Sequence, residues 1–109
     1  MAIVQSARFQ ATIASADATS ATQVQAKAAG KSIYITSLVL STDTAMNLKL
    51  QDDAASPAVI LQSVHLAANG GVALSWPEDW PLKVAENQDL DVIASASGNI
   101  SVTVVGYQR

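Results

Sequence analysis

From Lys31 onward, apolar and polar residues alternate with a period of two, which predicts strands rather than helices. In "SIYITSLVLST" (Ser32 to Thr42), Ile33, Ile35 and Val39 fall on one face and Tyr34, Leu38 and Leu40 on the other. Both faces are apolar, so the strand is expected to be covered on both sides. "AMNLKLQ" (Ala45 to Gln51) alternates strictly, with Met46, Leu48 and Leu50 set against Asn47, Lys49 and Gln51, the pattern of a sheet with one wet face. "TDT" between these strands is a short polar turn. "AVILQSVHL" (Ala58 to Leu66) reads as another strand after the loop "DDAASP". "AANGG" (Ala67 to Gly71) is a turn, since Asn and Gly tolerate positive φ, and "VALSW" resumes the strand pattern.

"LDVIASA" (Leu90 to Ala96) and "ISVTVVGY" (Ile100 to Tyr107) flank "SGN", which reads as a tight hairpin with Leu90, Val92, Ala94, Ile100, Val102 and Val104 pointing inward. "SATQVQAKAAGK" offers a Ser20-x-x-Gln23 capping box and a Gly30 stop, which would suit a short helix. It also alternates through Val24, Ala26 and Ala28, and a strand that makes a hairpin with its unambiguous neighbour is preferred. "ASADATSA" resembles a linker, and "IVQSARFQATI" reads as an edge strand or an arm. The expected organisation is an arm or edge strand over 1–20 and one domain over 21–109. That domain is expected to be an all-β, antiparallel sandwich of jelly-roll type with about eight strands.

The chain of 109 residues suits one domain. Half of its residues are hydrophobic and five in a hundred aromatic, so the core should be aliphatic. Six basic against nine acidic residues give a net charge of −3 with no Lys/Arg cluster, which argues against nucleic acid as a partner. There is no cysteine, hence no disulfide and no thiolate metal site. "MAIVQSARFQ" shows neither a signal-peptide pattern nor a membrane span of about 20 apolar residues. A soluble chain folded in a cytoplasm, with no membrane partner, is expected.

Candidate chemistry is sparse. His65 has no second His or Cys to share a metal, and reads as an ordinary strand residue. Asp89 and Asp91, with Asp52 or Asp53 nearby, could ligate calcium, but no calcium-loop signature supports it. Solvated carboxylates that keep an edge from pairing are the preferred account. Glu78 and Asp79 are adjacent in a loop and tend to point apart, unlike the positioned carboxyl pair of a glycosidase. Neither a Gly-x-Ser-x-Gly elbow nor a phosphate loop occurs. No enzyme activity and no cofactor are expected.

"ALSWPEDWPL" (Ala73 to Leu82) is the least ordinary stretch, with both tryptophans and two prolines around an acidic pair. As a sugar platform, Trp76 or Trp80 would stack on a pyranose while Glu78, Asp79 or Asn87 bonded its hydroxyls. As structure, Pro77 and Pro81 stiffen a crossover and each indole buries a large area, against the sandwich or a neighbouring subunit. The structural reading is preferred, with a subunit contact for at least one ring. Candidate interface or ligand contacts are Phe9, Tyr34, Trp76, Glu78, Asp79, Trp80 and Tyr107.

From about Gln23 to Gln108 the order of features resembles the small β-sandwich structural proteins of tailed bacteriophages. The residues carrying the resemblance are Gly30-Lys31 opening a strand, Gly70-Gly71, Trp76-Pro77, Leu90-Asp91-Val92, and Gly106-Tyr107 in the terminal strand. The pattern mainly determines a fold. Members include capsid decoration (cement) proteins, head fibres and tail-associated modules, often trimeric. The resemblance implies a virion protein without catalysis, made in the host cytoplasm and carried on the outer capsid surface. Its partners would be its own copies and a major capsid protein, and the short chain favours a cement protein over a fibre. The two-faced strand and the N-terminal arm would supply subunit contacts. The alternative is a carbohydrate- or receptor-binding module of a fibre.

Overall fold

The computed structural model describes residues 7–109, and these hold nine strands and no helix. In chain order the strands are β1 (Ala7–Ser15), β2 (Thr22–Gln25), β3 (Ile33–Thr42), β4 (Met46–Asp52), β5 (Val59–Leu66), β6 (Gly71–Ser75), β7 (Leu82–Lys83), β8 (Leu90–Ala94) and β9 (Ile100–Gln108). The first sheet runs β1-β9-β3, with β6 and β7 both on the free side of β3; the second runs β2-β8-β4-β5. Every pairing is antiparallel. The chain changes sheet at every connection other than β4 to β5 and β6 to β7, which makes the fold a jelly-roll sandwich.

The alternation read from the sequence places the core. Met46, Leu48 and Leu50 of β4, Leu90, Val92 and Ala94 of β8, and Ile100, Val102 and Val104 of β9 are all buried between the sheets. With Ile33, Ile35, Leu38 and Leu40 of β3 they form one aliphatic cluster, and Phe9, Ala11 and Ile13 of β1 pack against it.

Three expectations are corrected. β3 is not apolar on two faces, because a β-bulge between Ile35 and Ser37 changes its phase against β9. Ile33 and Ile35 face the core before the bulge and Leu38 and Leu40 after it, leaving Val39 46% exposed. An extra residue flips every following side chain, so one inward face absorbs both apolar sets. "SGN" is not a hairpin turn, since β8 and β9 lie in opposite sheets and Ser95–Asn99 arches between them. The segment at Thr22 is a strand, as preferred, but it pairs with β8 rather than with its sequence neighbour β3.

Of the segment 1–20, residues 1–6 lie outside the described residues. Residues 7–15 form β1, paired with β9 from Ala7↔Gln108 to Ser15↔Ile100. The linker-like stretch that follows is docked: Ala18 is fully buried and its carbonyl accepts the Ala94 amide at 2.8 Å. Between β3 and β4, the Asp43 carboxylate accepts the Asn99 amide at 2.9 Å and its carboxamide at 2.7 Å, locking two inter-sheet arches together.

The two outer faces differ. Paired residues share a face, so the first sheet turns outward Gln10, Thr12 and Ala14 from β1, and Ser101, Thr103 and Val105 from β9. Ser37, Val39 and Ser41 of β3 and Gly71, Ala73 and Ser75 of β6 complete it. None of these carries a charge. The second sheet turns outward Lys49, Ile93, Asn47 and His65, while Gln51 and Asp91 on the same side are buried.

Candidate functional site

At one end of the first sheet, its outer face becomes aromatic and charged. Tyr34 and Tyr107 are cross-strand partners on β3 and β9, and their rings stack with centroids 5.0 Å apart and planes 16° from parallel. Such pairs add stabilisation beyond the area they bury. Lys83 of β7, opposite Tyr34 in the ladder, holds its ammonium 5.7 Å from the Tyr34 ring centroid, within cation–π range.

The loop between β6 and β7 rests on this end. Its first residue prolongs the β3–β6 ladder, the Trp76 amide donating to the Thr36 carbonyl at 2.8 Å, beside the bulge of β3. Pro77 to Trp80 then form a turn closed by the Trp80 amide on the Pro77 carbonyl at 3.0 Å. The Tyr107 hydroxyl donates to the Glu78 carbonyl at 3.1 Å, and the Arg8 guanidinium of β1 donates to the Glu78 carboxylate. Arg8 and Glu78 stay 72% and 60% exposed, so this ion pair positions the loop more than it stabilises the fold. Arg8, Glu78, Asp79, Tyr107 and Arg109 line an open pocket of about 350 Å³.

The structure thus brings Tyr34, Glu78, Asp79 and Tyr107 together, with Trp80 on the same turn. The two tryptophans part ways. Trp76 is half-buried and packs against the core, while Trp80 is 80% exposed. Phe9 lies on the inward side of β1 against the core, away from the cluster. Asn87 does not join it either; its side-chain oxygen accepts the Gly30 amide at 2.7 Å. Arg8, Lys83 and Arg109 were missed by sequence reasoning. Their scarcity was the available signal, since a chain with six basic residues that puts three beside one acidic loop has concentrated them.

The aspartates at the Asp52–Leu90 end of the second sheet are structural. Asp52 accepts the Ala54 and Ala58 amides at 3.1 and 3.0 Å, Asp53 accepts the Asp89 amide at 2.9 Å, and Asp89 accepts the Lys27 amide at 2.7 Å. Asp91 is not a solvated edge carboxylate: it is 8% exposed on β8, a strand flanked by β2 and β4. Burial pushes its carboxyl up, and the charges of Asp53, Asp89 and Asp52 add to the shift. Among the described residues no group of three His, Cys, Asp or Glu is placed to hold a metal. His65 is exposed and pairs its Nδ1 with the Asn47 side-chain oxygen at 2.5 Å, the expected role for an outward strand residue.

No protein-family model matches the chain, and no curated protein sequence does. Solved structures do. A chain in the acid-stable capsid of Helicobacter pylori bacteriophage KHP30 superposes with a TM-score of 0.62 at 8% identity, over 95% of this chain and 90% of that one. A subunit of Bacillus endospore appendages, which form disulfide-linked pili, gives 0.55 at 16% identity over 98% and 94%. STIV MCP gives 0.52 at 10% identity, covering 94% of this chain and 41% of that chain. At these identities the likeness is one of fold, and it agrees with the jelly-roll sandwich described above.

Proposed function

We propose that the chain is a non-enzymatic structural protein of a bacteriophage virion, most specifically a trimeric decoration (cement) protein. On this reading it binds the outside of the head and stabilises contacts between major capsid protein subunits. The observation that carries this is the superposition, over 95% of this chain and 90% of the other, on a chain of the KHP30 capsid structure. Other features support it. Net charge −3 suits the outside of a shell rather than its DNA-filled interior, and the sandwich is built around an aliphatic core with no cysteine in the chain. The candidate site holds a lattice of positioning contacts around one exposed indole, which is binding surface rather than an acid–base or nucleophile pair.

Cryo-electron microscopy of the source virion tests the reading. Copies of the chain at three-fold or quasi-three-fold positions on the outside of the head are expected. Density confined to the tail, or inside the shell, overturns it.

One observation favours a second reading, a carbohydrate-binding module of a fibre: Trp80 is 80% exposed, and Asp79 precedes it on the same turn. An indole face with an adjacent acceptor is the elementary sugar platform. A glycan array probed with wild type and Trp80→Ala separates the two, because equal, negligible binding by both leaves this turn with no role in sugar recognition.

A further inference from the structure

The outer face of the first sheet takes no part in the cluster above except at its Tyr34–Tyr107 end, and its composition sets it apart. Along β9 and β3 it presents Ser101, Thr103, Val105 and Val39, the two valines 37% and 46% exposed. Among the described residues, the only charges of this sheet's outward ladder positions, Arg8 and Lys83, stand at the tyrosine end. Sheets with a wet face normally turn strongly polar side chains outward. A surface of small hydroxyl and β-branched groups can instead be covered cheaply, because no ion loses its water. The free side of β1 points the same way. From Phe9 to Ser15 it has no charge, no proline and no break in register, so a copy docked on this face meets no ion at that border.

We propose that this face is the docking surface for a second copy of the chain, so that first sheets of neighbouring subunits pack against one another in the oligomer. The proposal rests on the structural-subunit reading above and names the surface that reading requires. Charge identifies the occupant. The chain carries −3 net, with its acids on the loops and on the second sheet, so copies meeting there bring like charges together. Between its two ends, this face lets like meet like without repulsion. Area agrees. Strands spaced about 4.8 Å apart and about 30 Å long give a footprint on the order of 500 Å² per copy. That is more than half of the roughly 800 Å² per partner of a stable interface.

Sedimentation of the full chain tests it. Wild type is expected to run as an oligomer, and Val39→Lys with Thr103→Lys as a monomer that keeps its far-ultraviolet dichroism, while Ser63→Lys on the second sheet stays assembled. A monomeric wild type, or a lysine variant that remains assembled, overturns the proposal. Should the lysines unfold the chain, cysteine accessibility decides, because the protein has no cysteine of its own. Thiol labelling of Thr103→Cys is expected to run about ten-fold slower than that of Ser63→Cys under assembling conditions, since interface cores exclude solvent. Equal rates overturn the proposal. The result is separable from virion occupancy: an oligomer built on this face that never binds heads removes the decoration role and leaves the interface standing.

Discussion

Tyr34 and Tyr107 face each other across the β3–β9 ladder, and the Tyr107 hydroxyl reaches the Glu78 carbonyl, so one ring joins a strand pair to the loop that crosses above it. Position in the ladder sets the stack, and the stack aims the hydroxyl. Tyr107→Phe keeps the ring and removes the bond. It is expected to cost about 1 kcal/mol in denaturant unfolding. Faster amide exchange through Glu78 to Trp80, with the β3–β9 amides unchanged, locates the loss in the loop.

The tryptophans should respond in opposite ways. Trp76 packs against the core, so Trp76→Ala is expected to destabilise by about 3 kcal/mol. Trp80 is 80% exposed, so Trp80→Ala should stay within about 0.5 kcal/mol of wild type in the isolated subunit. Thermal unfolding at dilution checks both. Fluorescence provides a second measure: Trp80→Phe, which reports Trp76 alone, is expected to emit to the blue of Trp76→Phe.

Strict alternation made β4, β8 and β9 legible, because in a sandwich the inward set is simply every second residue. The same rule failed on β3, where Ile-Tyr-Ile-Thr-Ser-Leu-Val-Leu reads as apolar on both faces. No residue type announces the bulge at Thr36 that brings Ile35 and Leu38 to the same side. "SGN" correctly marked a change of direction, but turn chemistry does not say whether the returning strand joins the same sheet or the opposite one. The aromatic-acidic loop was visible as composition. Its partners Arg8 and Arg109 come from the two ends of the described chain, a proximity that only the β1–β9 pairing creates.

Gly106 shows what the bulge demands locally. Its φ is ordinary, yet a β-carbon there would overlap the Tyr34 carbonyl oxygen and lie 3.2 Å from the Ile35 α-carbon. These are backbone atoms and cannot rotate aside. Gly106→Ala is therefore expected to cost about 3 kcal/mol. Gly30→Ala makes the contrasting control, with φ +74° and nothing within 4 Å, so only the left-handed conformation opposes it, at about 1 kcal/mol. Equal costs at the two sites would mean that crowding against β3 is not what reserves position 106 for glycine.

Asp91 gives the pH dependence its sign. Burial first, then the charges of Asp53, Asp89 and Asp52, raise its carboxyl above the usual 3.8, so the folded state disfavours the ionised form. Its penalty is full above the raised folded value, shrinks as pH falls through it, and is gone below the unfolded value near 3.8, where both states hold the proton. Asp43 runs the other way. Hydrogen bonds from Thr44 and then Asn99 hold it below 3.8, so its contribution is present above that value and is lost as pH falls through the lowered folded one. Asp91→Asn keeps the size of the side chain and removes the charge. The variant is expected to melt higher than wild type at pH 7 and to converge with it as pH falls towards the unfolded carboxylate value. The acid-unfolding limb that comes from Asp43 should remain in both proteins. Melting curves from neutral to acidic pH check this, and a gain for Asp91→Asn that persists undiminished into acid would show that packing, not charge, separates the two proteins.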